Sequence, residues 1–157
     1  MWLMRDKIAA RGKTDEYVKV LAYWSGLAET RKPYVYGRDE LLDSWHTLLI
    51  PKIVSALMLP DEAEQYRAMK SLGVWLSGSL GFTPGTIGGI KPDGTTFHHG
   101  GFYPAYSTGA FAMIGYFCKA TRGTDFTLSE QARRNFKLAL MTMASYTDLR
   151  DWGLGLA

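Results

Sequence analysis

Apolar residues recur every three or four positions over most of the chain, which is the spacing of one face of an α-helix. Five stretches show this spacing, and they cover residues 17–27, 41–58, 66–76, 107–120 and 127–143. No stretch shows the strict alternation of apolar and polar residues that a half-buried strand requires. The pattern therefore predicts an all-α chain built from helical hairpins.

The predicted helices have recognisable ends. Residues that can cap a helix stand at three of the starts, namely Thr14, Asp61 and either Thr127 or Ser129. Glu64 follows Asp61 at the spacing of a capping box. Pro51 interrupts the second stretch, and we expect the helix to kink or restart there, because proline lacks an N–H and its ring clashes one turn back.

Residues 81–109 break the helical pattern. This segment holds eight of the seventeen glycines and three of the six prolines. A loop of this length inside a helical domain is uncommon, and such loops are usually functional or disordered. Its aromatic residues and its two adjacent histidines argue against simple disorder. We therefore expect the functional residues of the chain in this loop.

Composition and charge narrow the class of protein. The chain has 157 residues, 46% of them hydrophobic, which is enough for a buried core and excludes a disordered tail. Its formal charge of +3 comes without a dense basic block, so we expect no nucleic-acid partner. No apolar stretch reaches the ~18 residues of a membrane span, so we expect no membrane partner either. The single cysteine, Cys118, excludes an internal disulfide and is expected to be buried and inert.

The loop offers a candidate pair for acid–base chemistry. His98 and His99 are adjacent, and Tyr103 and Tyr106 follow closely. Histidine titrates near neutral pH, and tyrosine can donate or accept a proton in a suitable site, so the combination fits general acid–base catalysis. The alternative is a structural loop whose aromatic rings only cover the ends of helices.

Metal binding is not indicated by the sequence. Adjacent histidines seldom both reach one ion, and His46 lies within a predicted helix, where it is expected to be a packing or surface residue. Asp93 belongs to a Pro-Asp-Gly turn and lacks the alternating acidic residues of a calcium loop. We expect no metal and no cofactor, with a divalent cation as the one alternative.

The loop closely resembles the active-site loop of glycosaminoglycan polysaccharide lyases, and the chondroitin sulfate ABC lyase branch in particular. The family pattern is roughly Pro-Asp-Gly-Thr-x-x-x-His-x-Gly-x-Tyr-Pro-x-Tyr, and residues 92–106 match every fixed position. The resemblance covers the last half of the chain well, as far as residues 154–157, and the first half only by helical pattern. It implies that residues 1–157 are one segment of a catalytic domain, truncated at its C-terminus, whose hairpins form part of an incomplete (α/α) toroid.

The resemblance also implies roles for individual residues. The catalytic histidine of the family falls on His99 and its catalytic tyrosine on Tyr106. Four further residues are expected to contact substrate: His98, Tyr103, Phe102 and Lys91. Lys91 would meet sulfate groups, although a solvated lysine is the default expectation. An arginine and a glutamate that complete the site in relatives would lie beyond Ala157. Trp75 could stack on a sugar, but its place on an apolar stripe favours the core.

The implied activity is β-elimination of uronic-acid-containing glycosaminoglycans such as chondroitin and dermatan sulfate, and hyaluronan as a further candidate. Asn135, the single asparagine, lies within a predicted helix and is a poor match for the asparagine that neutralises the uronate in related branches, which favours the broad-specificity ABC branch. The implied partners are an acidic polysaccharide and the remaining domains of a longer enzyme, in the bacterial periplasm or secreted. The alternative is a non-catalytic helical domain that binds carbohydrate or protein.

Overall fold

The computed structural model describes residues 2–37 and 41–147. Helices make up most of these residues, which confirms the all-α prediction. Two short 3₁₀ helices span Trp2–Met4 and Leu27–Arg31. The α-helices are α1 (Arg5–Ala10), α2 (Thr14–Ser25), α3 (Leu41–His46), α4 (Leu49–Leu57), α5 (Glu62–Ser79), α6 (Pro104–Ala120) and α7 (Glu130–Tyr146).

Several helix ends follow the predicted capping chemistry. The Asp61 carboxylate accepts a hydrogen bond from the Glu64 N–H at 2.9 Å and caps α5. Ser129 caps α7 by accepting from the N–H of Ala132. Thr14 is the first residue of α2 rather than its cap, and no side chain caps that helix, so this prediction is wrong.

The expected interruption near Pro51 is present. The helix ends at His46 and a new helix begins at Leu49, which places Pro51 in the first turn of α4. In a first turn the missing N–H of proline costs no intrahelical hydrogen bond. The second apolar stretch therefore forms two helices instead of one.

A small antiparallel sheet lies within the glycine-rich loop. Its strands β1 (Gly89–Ile90), β2 (Thr96–His98) and β3 (Gly101–Phe102) occur in that order, and His98 of β2 pairs with Gly101 of β3. The expectation of a chain without strands is wrong here. The strands have two or three residues each, which is too short for an alternating pattern to be recognised.

The core is formed mainly between α3, α4, α5 and α6. Trp45 is fully buried on α3, and its indole N–H donates to the Ser79 hydroxyl of α5 at 2.9 Å. Trp75 is also buried, at 6% exposure, which confirms its predicted core position. Among the described residues, no helix combines the length and the apolar character needed to cross a bilayer.

The apolar stripe predicted for α2 is largely not buried. Tyr17, Val20 and Trp24 are exposed, whereas Val18 and Ser25 of the same helix are buried. Spacing identifies an apolar face, but burial also requires a neighbouring element to cover that face. In the described residues, α2 is packed against α4 by a different face from the predicted one.

Candidate active site

The loop that holds the motif is ordered by local hydrogen bonds. The Asp93 carboxylate accepts from the backbone N–H and the hydroxyl of Thr95, at 2.9 and 2.7 Å. The Thr142 hydroxyl donates to the Asp93 carbonyl at 2.9 Å and ties the turn to α7. Gly94 lies at φ +85° against Thr142, where a side chain would overlap. The Pro-Asp-Gly sequence thus forms the turn that it predicts.

Lys91 lies inside the loop and away from solvent. Its side chain is buried, and its ammonium donates to the Ile87 carbonyl and to the Thr83 hydroxyl, the latter at 3.0 Å. It also lies 4.7 Å from the centre of the Phe97 ring. Burial lowers the pKa of Lys91. The expectation of a solvated lysine is wrong, and these contacts argue against the predicted contact of Lys91 with sulfate.

We expect Lys91→Met to lower the free energy of unfolding by about 1–3 kcal/mol, because the partly buried Ile87 carbonyl loses its charged donor and keeps only the Thr83 hydroxyl. Denaturant unfolding measures this change. Lys70→Met is the matched control: Lys70 also donates to a carbonyl, that of Asp125, but in an exposed position where water replaces the lost donor. Equal losses in the two variants would contradict a buried structural role for Lys91.

The difference in stability between the wild type and Lys91→Met is also expected to depend on pH. Because the pKa of Lys91 is lowered in the folded state from 10.5, the unfolded chain binds more protons as the pH approaches 10.5 from below. The contribution of Lys91 to stability therefore becomes more favourable as the pH rises in this window, and the Met variant lacks that increment.

The two adjacent histidines face the same side because of the backbone at His99. Neighbouring side chains on a strand normally point to opposite faces. His99 has a φ of +50°, in the left-handed region, and Gly100 follows at +76°. The chain therefore turns directly after His98, and the two imidazole rings stack with centroids 3.8 Å apart. A left-handed φ costs a non-glycine residue about 1–2 kcal/mol, which the surrounding turn must offset.

Tyr106 completes a cluster of three rings. It lies in the first turn of α6, and its ring is 4.6 Å from that of His98 and 6.3 Å from that of His99. His98 thus contacts both predicted catalytic rings. Tyr103 meets the Tyr106 ring edge-on at 5.1 Å. The structure therefore brings together the four aromatic and imidazole residues that the motif suggested.

Two residues that were predicted to contact substrate, His98 and Phe102, lie in surroundings that differ from those expected. His98 has no exposed surface, so a polysaccharide cannot reach it, and its predicted substrate contact is wrong. Phe102 lies apart from the ring stack and packs edge-on against Tyr146 at 5.4 Å. It is 43% exposed, which leaves a contact with a sugar open as a prediction.

Helix α3 contributes two residues that the sequence did not reveal. The Asp43 carboxylate lies 3.6 Å from Nε2 of His98, and the His46 ring meets Tyr106 edge-on at 6.5 Å. Gly109 of α6 allows this approach, because a Cβ there would lie 2.5 Å from the His46 ring. The one sequence signal is the spacing of Asp43 and His46, which places both on one face of a helix.

Three of these residues could hold a metal ion. The ligand atoms of Asp43, His98 and His99 lie within 4.8 Å of one another, and two imidazoles with one carboxylate suit zinc and similar ions. The two histidine rings lie 3.8 Å apart with their planes inclined by 32°. Asp43 is the third ligand that was missing from the sequence around the histidines.

A cleft of about 500 Å³ opens beside the N-terminal part of α3. Leu41 and Ser44 of α3 line it, together with Tyr34, Lys32 and the edge of Trp75. The stacked rings do not belong to its lining. Asn135 does not line this cleft; it is buried on α7 and donates to the Leu80 carbonyl at 2.9 Å, in a structural role.

The helical fold and the His-Tyr loop are those of a lyase catalytic domain. The family model described as "Lyase, catalytic" matches residues 1–157, and the chain belongs to this family. It is 31% identical to a chondroitin sulfate ABC exolyase of Bacteroides thetaiotaomicron, over 99% of this chain and 15% of the relative. It is 37% identical to the ABC exolyase of Proteus vulgaris over 69% of this chain, and 29% identical to the ABC endolyase of that organism over 99%.

These relatives confirm the resemblance stated from the loop. The chain spans only 11% to 15% of the length of these relatives. The comparisons support membership of a polysaccharide lyase family.

Proposed function

We propose that the chain forms part of the active site of a lyase that cleaves chondroitin and dermatan sulfate, and hyaluronan as a further candidate, by β-elimination. The observation that carries this proposal is the placement of His99 and Tyr106 in one ring cluster, with centroids 6.3 Å apart. The names of the relatives support the substrate class. In this proposal the hairpins are part of an incomplete (α/α) toroid of a periplasmic or secreted enzyme.

The chemistry explains why an imidazole and a phenol are needed. The C5 proton of a uronate is weakly acidic, because the adjacent carboxylate resists further negative charge. A positive or hydrogen-bond-donating group must stabilise the enolate-like transition state at that carboxylate. A base then removes the C5 proton, and an acid protonates the departing glycosidic oxygen.

Tyr106 is the proposed acid for the leaving group, and also the base when the uronate is glucuronate. His99 is the proposed base for the epimeric iduronate or the group that neutralises the carboxylate. The exposure of His99 supports direct contact with substrate, and Tyr103 beside it is the proposed contact for a sugar or support for Tyr106. The arginine and glutamate that the resemblance implies would come from outside residues 1–157.

The test uses the full-length protein with chondroitin sulfate and dermatan sulfate as separate substrates. Elimination leaves a double bond conjugated to the carboxylate, so we expect ultraviolet absorbance to rise as the chains shorten. Dextran sulfate is the control, because it carries sulfate but no uronate and should give no absorbance. Binding of chondroitin sulfate without any unsaturated product would favour the non-catalytic binding domain.

A further inference from the structure

We propose that Thr96 and Ser107 are positioning residues for the reaction, because their hydroxyl groups tie the strand before His99 to the helix that carries Tyr106. This inference rests on the proposed lyase function and extends it to two buried residues. Thr96 lies on β2, three positions before His99, and Ser107 directly follows Tyr106 on α6. Their side chains are 1% and 0% exposed, so a polysaccharide cannot reach them and they can act only through their neighbours.

The hydrogen bonds between the two segments form a closed ring. The Ser107 hydroxyl donates to the Tyr103 carbonyl at 3.1 Å, and a serine hydroxyl has only one proton to donate. In the contact between the two hydroxyl groups, Thr96 is therefore the donor and Ser107 the acceptor. The Tyr103 N–H donates to the Thr96 carbonyl at 3.2 Å and completes the ring. Thr96 is thus joined to the start of α6 through both its backbone and its side chain.

This ring of hydrogen bonds encloses the turn that holds His99. The His99 backbone has a φ of +50°, which is unfavourable for a residue other than glycine. Such a conformation persists only where the surrounding structure holds it. The bonds from Thr96 close the chain on both sides of this turn, with the rings of His99 and Tyr106 6.3 Å apart. Because a misplacement of about 1 Å can lower a rate by ~10²-fold, loss of the tie should slow the reaction.

The experiment measures kcat and KM of full-length variants on chondroitin sulfate, together with their unfolding midpoints. Thr96→Val keeps the shape of the side chain but removes the donor to Ser107, and Ser107→Ala removes the acceptor of the buried Thr96 hydroxyl. We expect kcat to fall by about tenfold or more in each, with KM changed by less than about twofold, because displaced reacting groups slow the chemical step. Both midpoints should fall, since a buried polar group has lost its partner.

Two further variants separate positioning from stability. In the double variant Thr96→Val/Ser107→Ala neither hydroxyl remains, so the unfolding midpoint should recover part of the loss seen in Ser107→Ala. Its kcat should stay low, because the tie between β2 and α6 is still absent. Thr96→Ser keeps the hydroxyl and loses a buried methyl group, so its midpoint should fall while most of the kcat is retained.

A second buried hydroxyl pair provides the matched control. The hydroxyl oxygens of Ser25 and Ser55 lie 3.1 Å apart, and Ser55 donates to the Pro51 carbonyl at 2.8 Å, much as Ser107 donates to Tyr103. This pair joins α2 to α4 and includes none of the clustered rings. We expect Ser55→Ala to lower the unfolding midpoint and to leave kcat unchanged.

Three results would overturn the positioning role: a kcat that recovers together with the midpoint in the double variant, an equal loss of kcat in Thr96→Ser and Thr96→Val, or a similar loss in Ser55→Ala. Wild-type kcat in both Thr96→Val and Ser107→Ala, with or without a raised KM, would overturn it as well. A wild-type protein that forms no unsaturated product contradicts the proposed function, and this inference with it, so the two failures are distinguished.

Discussion

Tyr106→Phe in the full-length protein is expected to lower kcat on chondroitin sulfate by about 10²–10⁴-fold, the range for loss of a positioned acid–base group. The substitution removes the hydroxyl that carries the proton and keeps the ring that contacts His98 and His46. The unfolding midpoint and KM should therefore change little. Ultraviolet detection of the unsaturated product measures the rate.

Tyr103→Phe is the matched control for this prediction. Tyr103 belongs to the same cluster, with its ring 5.1 Å from that of Tyr106, and it loses the same atom. We expect its kcat to fall much less than that of Tyr106→Phe, because Tyr103 is proposed to contact a sugar or to support Tyr106 and not to transfer the proton. If Tyr106→Phe retains turnover, or if both variants lose it equally, Tyr106 has no special place in the mechanism.

His99→Asn is expected to lower kcat on dermatan sulfate by about 10²–10⁴-fold, because the iduronate base is removed. Asparagine is chosen because it tolerates the left-handed backbone that His99 adopts at φ +50°. The same variant is measured on chondroitin sulfate. A loss confined to dermatan sulfate assigns His99 as the iduronate base, whereas equal losses assign it to neutralisation of the carboxylate.

Backbone effects at His99 are separated by a second pair of variants. Both variants lose the imidazole, but His99→Gly relieves the left-handed conformation and His99→Ala keeps it, so the alanine variant should be the less stable of the two. Both should lack activity if the imidazole takes part in the reaction. Wild-type rates on both substrates in the Asn and Gly variants would remove His99 from the mechanism.

Much of the fold was predictable from the sequence, because a helix depends mainly on residues that are close together in the chain. The spacing of apolar residues located the long helices α5, α6 and α7, and the caps at Asp61 and Ser129 follow from hydrogen bonds within one turn. The motif loop was recognisable for the same reason, since its turn at Asp93 is closed by neighbours in sequence.

Contacts between distant segments were not predictable. Asp43 and His98 are 55 positions apart in the sequence, and nothing in the sequence around either residue indicates their contact. Lys91 and His98 have polar side chains, so their burial depends on partners that only the folded loop provides. Helix α2 shows the opposite case: its apolar residues have the spacing of a buried stripe, but most of them are exposed in the structure.

The amino-acid sequence alone determined the helical class and the position of the irregular loop, since each depends on spacing within one short segment, and the resemblance of that loop to a known family implied the pairing of His99 with Tyr106. Only the tertiary structure determined which side of that loop is exposed to solvent, and it placed the Asp43 carboxylate next to the buried His98 ring. The physical reason is that burial and electrostatic contact arise between elements: α3 must pack on α6 before a carboxylate, an imidazole and a phenol become neighbours.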